Sequence, residues 1–353
     1  MWNSSQFSAG EWVEVGSKEE ILATLEKGAE LEGLPFMPEM FQFCGKRFRV
    51  SKRAHKTCDP PNGLQGRRML RAVHLEDVRC DGAAHAGCEA WCLIFWKDAW
   101  LKRVDGPGAA APSSRNGGKA RVDANQGSTC TESDVWAATR QTSEPAAPEP
   151  IYACQSTRVP AATEPLRWWD LRQYAEDCAS GNVRPRDLVD ALAGFVSQKI
   201  ATAGIGVGSS VRWVYNVVQR LQGGTPYPWG IGAIQTGSRT PSRKLDLQPG
   251  ELVKVRSHAE ILQTLDEAGN NRGMCWDPEM VPYCGGTYRV LRRITQIIDE
   301  KTGRVLPMKN DCIQLEGVVC GACYAKYRRF CPRAIPPYWR EIWLERVSSA
   351  GPS

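Results

Sequence analysis

WVEV (12–15) alternates apolar and polar positions, the pattern of a strand with one buried face. In SKEEILATLE the period changes. Ser17 stands three residues before Glu20, a capping-box signature, and Ile21, Leu22 and Leu25 form one apolar face of a short helix. GLPFMPEM predicts an irregular crossing. KRFRVSKR predicts a strand with Phe48 and Val50 on one face and basic residues on the other. DPPNG (59–63) is a turn signal, VHLEDV a second strand, and FWKDAWLKRV (95–104) a closing strand rich in tryptophan. Short strands around one hairpin, with a single small helix, predict a small open barrel of SH3-like type.

The pattern recurs 240 residues further on. GEWVEVGSKEEILATL (10–25) returns as GELVKVRSHAEILQTL (250–265), MPEMFQFCGKRFRV (37–50) as DPEMVPYCGGTYRV (277–290), and VHLEDVRC (73–80) as IQLEGVVC (313–320). After Cys80 the second copy gains three residues, and FWKDAWLKRV matches YWREIWLERV (338–347) at an offset of 243. The expected fold is mainly β with α: two SH3-like small β-barrel domains, an internal repeat occupying 8–104 and 248–348. Between them, 105–166 is rich in Ala, Pro, Ser, Gly and Thr and reads as a flexible, disordered linker. A helical segment over 167–222 and a turn-rich connector over 223–247 follow. Leu188, Leu192, Phe195, Val196 and Ile200, then Val211, Val214, Val217, Val218 and Leu221, recur at helical spacing and predict a helical hairpin packed on a barrel. A sharper reading makes 185–222 a membrane-surface contact aided by Trp168, Trp169, Trp213 and Lys199.

The hairpin gives the cysteines a geometry. With the turn centred near Asn62, antiparallel partners have indices summing to about 124, which pairs Cys44 with Cys80. A turn at Thr302 pairs Cys284 with Cys320 in the same way. Cys88 returns as Cys331, and a fourth ligand is on offer as Cys92 or His85 in the first copy and Cys323 in the second. Zinc takes four soft or borderline ligands in a tetrahedron. The expectation is therefore one Zn2+ per repeat, on Cys44, Cys80, Cys88 and Cys92 and on Cys284, Cys320, Cys323 and Cys331. Cys58 is left out, because Ile298 stands at its place in copy two. Ordinary buried thiols, a disulfide across the facing pair, and a catalytic thiol with His55 or His85 as base remain open alternatives.

Composition narrows the setting. There is no apolar run of eighteen residues in the 353, so no spanning helix is expected. MWNSSQFSAGEWVEV lacks a basic flank followed by an apolar run, which points to the cytoplasm, where fourteen cysteines serve as thiols or metal ligands. A formal charge of +6 permits an acidic partner without requiring one. Basic residues crowd the hairpins. Arg47, Arg49, Arg53, Arg67 and Arg68, with Arg289 and Arg293, are the expected surface for an acidic protein or phosphorylated glycan, with nucleic acid the less favoured partner. Phosphate-binding, dinucleotide and nucleophile-elbow motifs are missing. Glu39 recurs as Glu279 and Glu76 as Glu316; such an acid pair could hydrolyse a glycoside, but the plainer roles are a PEM turn and pairing with hairpin arginines.

LPFMPEM, CGKRFRV, HKTCD, FWKDAWLKRV, PEMVPYCGGTYRV and YWREIWLERV resemble strings of a family of bacterial proteins described as hypothetical. The resemblance covers both copies and the central helices. It implies a bacterial source and, for some members, a setting near polysaccharide or secondary-metabolite genes; it carries no activity. The expected function is a non-enzymatic binding or scaffold protein whose two zinc-stabilised domains act as a bivalent module. An enzyme of unfamiliar type, with a polysaccharide or secondary-metabolite link, is the alternative, and a tandem nucleic-acid binder is the third.

Overall fold

The computed structural model describes residues 5–107, 130–141, 150–203 and 206–347. The chain forms two units. The first is Met1–Val183 with Ile298–Leu306 and Cys331–Arg333; the second is Arg184–Ile297, Pro307–Phe330 and Ala334–Ser353.

The first unit contains β1 (Trp12–Val15), α1 (Lys18–Leu22), β2 (Arg47–Arg53), β3 (Lys56–Asp59), β4 (Gln65–Met69), β5 (Ala72–Leu75), β6 (Trp96–Lys97) and β7 (Leu101–Val104). Five of these strands make an antiparallel sheet in the order β6-β5-β2-β1-β7. Val13 and Val15 turn inward from β1, as the alternation predicts. Ser17 and Glu20 form the expected capping box at α1. Beyond β7 come α2 (Glu132–Thr139), β8 (Thr163–Pro165) and α3 (Arg172–Ala179). β8 joins the edge of the β3–β4 hairpin to make a three-stranded sheet.

The second unit holds α4 (Pro185–Ala201), α5 (Gly208–Gln222), β9 (Leu252–Val255), α6 (His258–Leu262), β10 (Thr287–Arg293), β11 (Ile313–Leu315) and β12 (Leu344–Arg346). Its sheet runs β11-β10-β9-β12, and Ser257 with Glu260 repeats the capping box. The class is mainly β with α. Several small antiparallel sheets form, and among the described residues none closes into a barrel. No helix of the described residues is long and apolar enough to cross a membrane.

Each repeat is built on the same buried aromatic group. Phe36 packs edge-on against Trp96 and Trp100 at 6.4 and 5.3 Å. Trp276 does the same to Trp339 and Trp343 at 5.9 and 5.2 Å. The indole N–H of Trp100 donates to Thr24 Oγ1 at 3.1 Å, and that of Trp343 to Thr264 Oγ1 at 2.9 Å. Trp100 and Trp343 thus bury a large apolar area while their one polar group stays paired.

The register follows the expected sum at the hairpin tip. Lys56 faces Arg68 and Cys58 faces Gly66, with Gly63 at φ 73° closing the turn after Pro60–Asn62. Toward the open end the ladder departs from it. A register shift lies between Val50 and Lys52, repeated between Val290 and Arg292. The last backbone bond runs from Glu76 N–H to the Arg49 carbonyl, and before β2 the chain is a 3-10 turn, Pro38–Phe43, ending at Cys44. The pairing of Cys44 with Cys80 is therefore not made by the sheet, and the turn Pro278–Tyr283 separates Cys284 from its ladder in the same way.

Part of the expected linker is ordered structure of the first unit. Within 105–166, residues 108–129 and 142–149 lie outside the described residues. The remainder places Cys130, Val135 and Ala162 in the first core and adds β8 to the hairpin. Its averaged composition conceals these short apolar clusters. The helical segment also divides: α3 belongs to the first unit, where Asp177 binds His55 and Lys56, and α4 and α5 belong to the second.

Glu341, fully buried in the second unit, accepts N–H bonds from Leu245, from Asp246 at 3.0 Å and from Leu247 at 2.9 Å, and pairs with Arg293. Burial opposes its ionisation, but these N–H donors and the guanidinium outweigh it and hold the carboxyl below its usual range. The resulting stabilisation is present above the ordinary value of 4.5 and is lost as pH falls through the depressed folded value. Glu341→Gln should cost about 3 kcal/mol at neutral pH. It should also flatten the acid dependence of unfolding below that ordinary value, measured by urea titrations at neutral and acid pH.

Candidate functional site

The 3-10 turns that follow Met37 and Asp277 each bury a glutamate, Glu39 at 5% and Glu279 at 3% exposure. A buried carboxylate needs partners. Both repeats find them in the loop after the sheet. Glu39 Oε1 accepts from Ala84 N–H at 2.9 Å and lies 2.6 Å from His85 Nδ1. Glu279 accepts from the N–H groups of Cys323, Tyr324 and Ala325 at 2.8, 2.7 and 3.0 Å. The latch is shared, but the first repeat adds an imidazole where Glu279 takes backbone N–H groups alone. Burial raises both carboxyls. In Glu39 the hydrogen bond and charge of His85 outweigh that and hold it below the usual range; in Glu279 burial prevails and it lies above.

The latched loop, CDGAAHAGC, brings thiols into one pocket. Cys80, Cys88, Cys92 and Cys154 line it with His85, Ser156, Ile298 and Glu300, around a space of about 510 Å³ that includes its open mouth. Gly82 makes the turn at φ 73°; a Cβ there would stand 2.0 Å from the Cys88 carbonyl oxygen, so only glycine lets the chain fold back so closely.

Two of the sulfurs face a hydrogen-bond donor. Ile298 N–H donates to Cys88 Sγ at 3.2 Å. Ser156 Oγ donates to Cys92 at 3.4 Å. Burial nonetheless pushes all four thiols up, Cys154 to about 12, and the Glu39 charge adds to the rise at Cys80. Arg333, fully buried, donates to Ser156 Oγ at 2.7 Å, to Glu300 at 2.6 Å and to the Cys58 carbonyl at 3.2 Å, and places its charge near Cys92.

Glu39, Cys80 and His85 are the three potential ligands, among the described residues, whose donor atoms all lie within 4.8 Å of one another. No three of the sulfurs share so small a sphere. Glu39 Oε2 is buried with no hydrogen-bond partner. His85 Nε2 faces the Ala153 carbonyl at 3.2 Å. With Nδ1 held by Glu39, neither ring nitrogen is placed to take a proton from Cys80, which counts against a nucleophilic thiol there.

The other expected ligands lie elsewhere. Cys44 ends its 3-10 turn beside the charges of Lys18 and Glu19, outside the pocket. Cys284 packs on the second core, its thiol pushed up to about 12 by burial. Cys320 neighbours Tyr283, and Cys323 flanks Glu279. Cys331 belongs to the first unit, beside Lys56 and Arg333, and Cys284, Cys320 and Cys323 to the second. Cys154, Glu300 and Arg333 were not legible as site residues. The apolar pair Ile151 and Tyr152 just before Cys154 was the one available signal.

The hairpin arginines are engaged within their own units. Arg47 pairs with Glu14 at 3.0 Å, Arg49 donates to the Gly10 carbonyl at 3.0 Å, and Arg53 donates to the Phe7 carbonyl at 2.9 Å. Arg67 bonds Thr163 Oγ1 at 2.6 Å, and Arg68 lies near Asp170. In copy two Arg289 bonds the Gly250 carbonyl at 2.7 Å with Glu316 at 3.8 Å, and Arg293 pairs with Glu341. Protein-family models, curated proteins and solved structures give no match to this chain.

His85→Ala would leave Glu39 buried without its imidazole partner and should cost about 3–5 kcal/mol. Combining it with Glu39→Gln should cost less than the sum of the single changes. A double-mutant cycle by denaturant unfolding, with coupling above about 1 kcal/mol, checks the pair.

Proposed function

We propose that the protein is a non-enzymatic, cytoplasmic binding scaffold of two related domains, open kin of the SH3-like barrel, with one zinc ion held in the first by Cys80, Cys88, Cys92 and Cys154. The observation that carries this reading is the gathering of four thiols in one pocket, with donors facing Cys88 and Cys92. N–H and O–H groups aimed at sulfur suit thiolates. Burial alone disfavours thiolates, and a dication supplies the charge that stabilises them. A set of four sulfurs fits zinc, with side-chain rotations closing the thiols on the ion. Behind the ligands, the Glu39–His85 pair holds the loop that carries Cys80 and Cys88, the role outer partners play at metal centres.

This reading takes one ion per chain in place of one per repeat, because the pocket that gathers four thiols lies in the first unit. The internal partners of the arginines weigh against an acidic protein, a phosphorylated glycan or nucleic acid as a ligand of the hairpins. The bivalent arrangement then rests on the duplicated framework rather than on paired metal sites.

Elemental mass spectrometry of the untagged protein should find one zinc per chain, and alkylation should find four protected thiols. Cys92→Ser or Cys154→Ser should release the ion, while Cys44→Ser and Cys284→Ser should retain it. Two ions per chain, or none with all fourteen thiols reactive, would sink the assignment.

A further inference from the structure

The pair α4 and α5 presents its apolar residues outward. On α4, Val189, Leu192, Val196 and Ile200 follow one another at helical spacing and all are exposed, Leu192 at 57%. On α5 the exposed set is Trp213, Val214, Val218 and Leu221, with Trp213 at 67% and Leu221 at 83%. The inward side is where the helices are covered: Gly194 and Ala201 are buried, and Arg329 stacks over the Phe195 ring at 5.2 Å. Single exposed apolar residues are ordinary on a protein surface. Eight in two aligned rows form a patch of the kind that marks an interaction site.

Charge selects the occupant. Over 184–222 the chain carries five cations, Arg184, Arg186, Lys199, Arg212 and Arg220, against two anions, Asp187 and Asp190, a balance of 5 − 2 = +3. Asp187 is already paired with Arg184 and lies near Arg186. A second copy docking symmetrically would set this cationic surface against itself. Anionic lipid headgroups complement it, and long Lys and Arg side chains can reach them while their stems lie over acyl chains. An exposed tryptophan beside the stripe suits the boundary between headgroup and hydrocarbon. At 17 and 15 residues, interrupted by charge, the helices are built to lie on a bilayer rather than to cross it.

We propose that α4 and α5 form an interfacial anchor that lays Leu192, Val196, Val214 and Leu221 into the surface of an anionic membrane, with Lys199, Arg212 and Arg220 at the headgroups. The anchor is independent of the zinc assignment.

Flotation of the full chain with lipid vesicles tests it. The protein should float with vesicles of phosphatidylcholine mixed with phosphatidylglycerol, and poorly with phosphatidylcholine alone or at high salt. Leu192→Asp combined with Leu221→Asp should lower the partition coefficient at least about tenfold while circular dichroism stays unchanged, since both side chains are exposed. Arg212→Glu with Arg220→Glu should remove the preference for anionic lipid. Folded wild-type protein left in solution with anionic vesicles would overturn the proposal, and so would equal flotation of the aspartate variant. A doubled mass in light scattering without lipid, abolished by that same variant, would assign the face to a second copy and overturn it as well.

Discussion

A carboxylate taken out of water has to be satisfied, and both repeats are organised around that requirement. Glu39 and Glu279 descend from the same short turn into the protein, and the chain after the sheet must come back to meet them. In the second repeat three consecutive N–H groups suffice. In the first, one N–H and an imidazole share the task, and the imidazole carries the loop of thiols with it. Fixing that loop determines where Cys80 and Cys88 stand, how tightly Gly82 must turn, and which face of the pocket is left for Cys92 and Cys154. The acid is thus a construction element first. Its position beside Cys80 raises the cost of a free thiolate there.

Duplication has kept the framework and let the chemistry diverge. The three-ring aromatic group and the indole-to-threonine bond occur in both halves with closely similar geometry. A framework of this sort tolerates change wherever side chains do not fill it. Asp98 and Glu341, at equivalent positions, hold the lead-in segment of each repeat, yet with different donors and opposite shifts in acidity. The thiols show the same freedom: at the offset of 243, Cys92 of the first copy meets Ile335 in the second.

Local features were the legible ones. The alternation in WVEV, the capping box at Ser17 and the turn after Asp59 depend on neighbours in sequence, and each appears where it was expected. The hairpin sum holds at the tip for the same reason. It ceases to apply past the bulge at Val50 because a ladder continues only while both strands remain extended, and the PEM turn ends that. Cys154 was hidden by the composition of the stretch around it, since averaged hydropathy cannot register one buried cluster among small polar residues. The arginines misled in the opposite sense: a basic run shows charge but not the carbonyls and carboxylates it meets after folding. Arg333 could not be read as a site residue, because Ser156 and the Cys58 carbonyl stand more than a hundred residues away, and Glu300 was hidden with it as its ion-pair partner.

The make-up of the first unit has a temporal side. Cys88 takes a donor from Ile298, Tyr152 hydrogen-bonds Gly303, and Ser156 and the Cys58 carbonyl wait for Arg333. A ribosome releases the amino-terminal half first, so during synthesis that half has its sheet and its aromatic centre but lacks these partners. It remains an unfinished body, with thiols and backbone groups unclaimed, until nearly the whole chain has emerged. The duplicated halves therefore cannot mature one after the other like beads on a string; the earlier one is completed by the later.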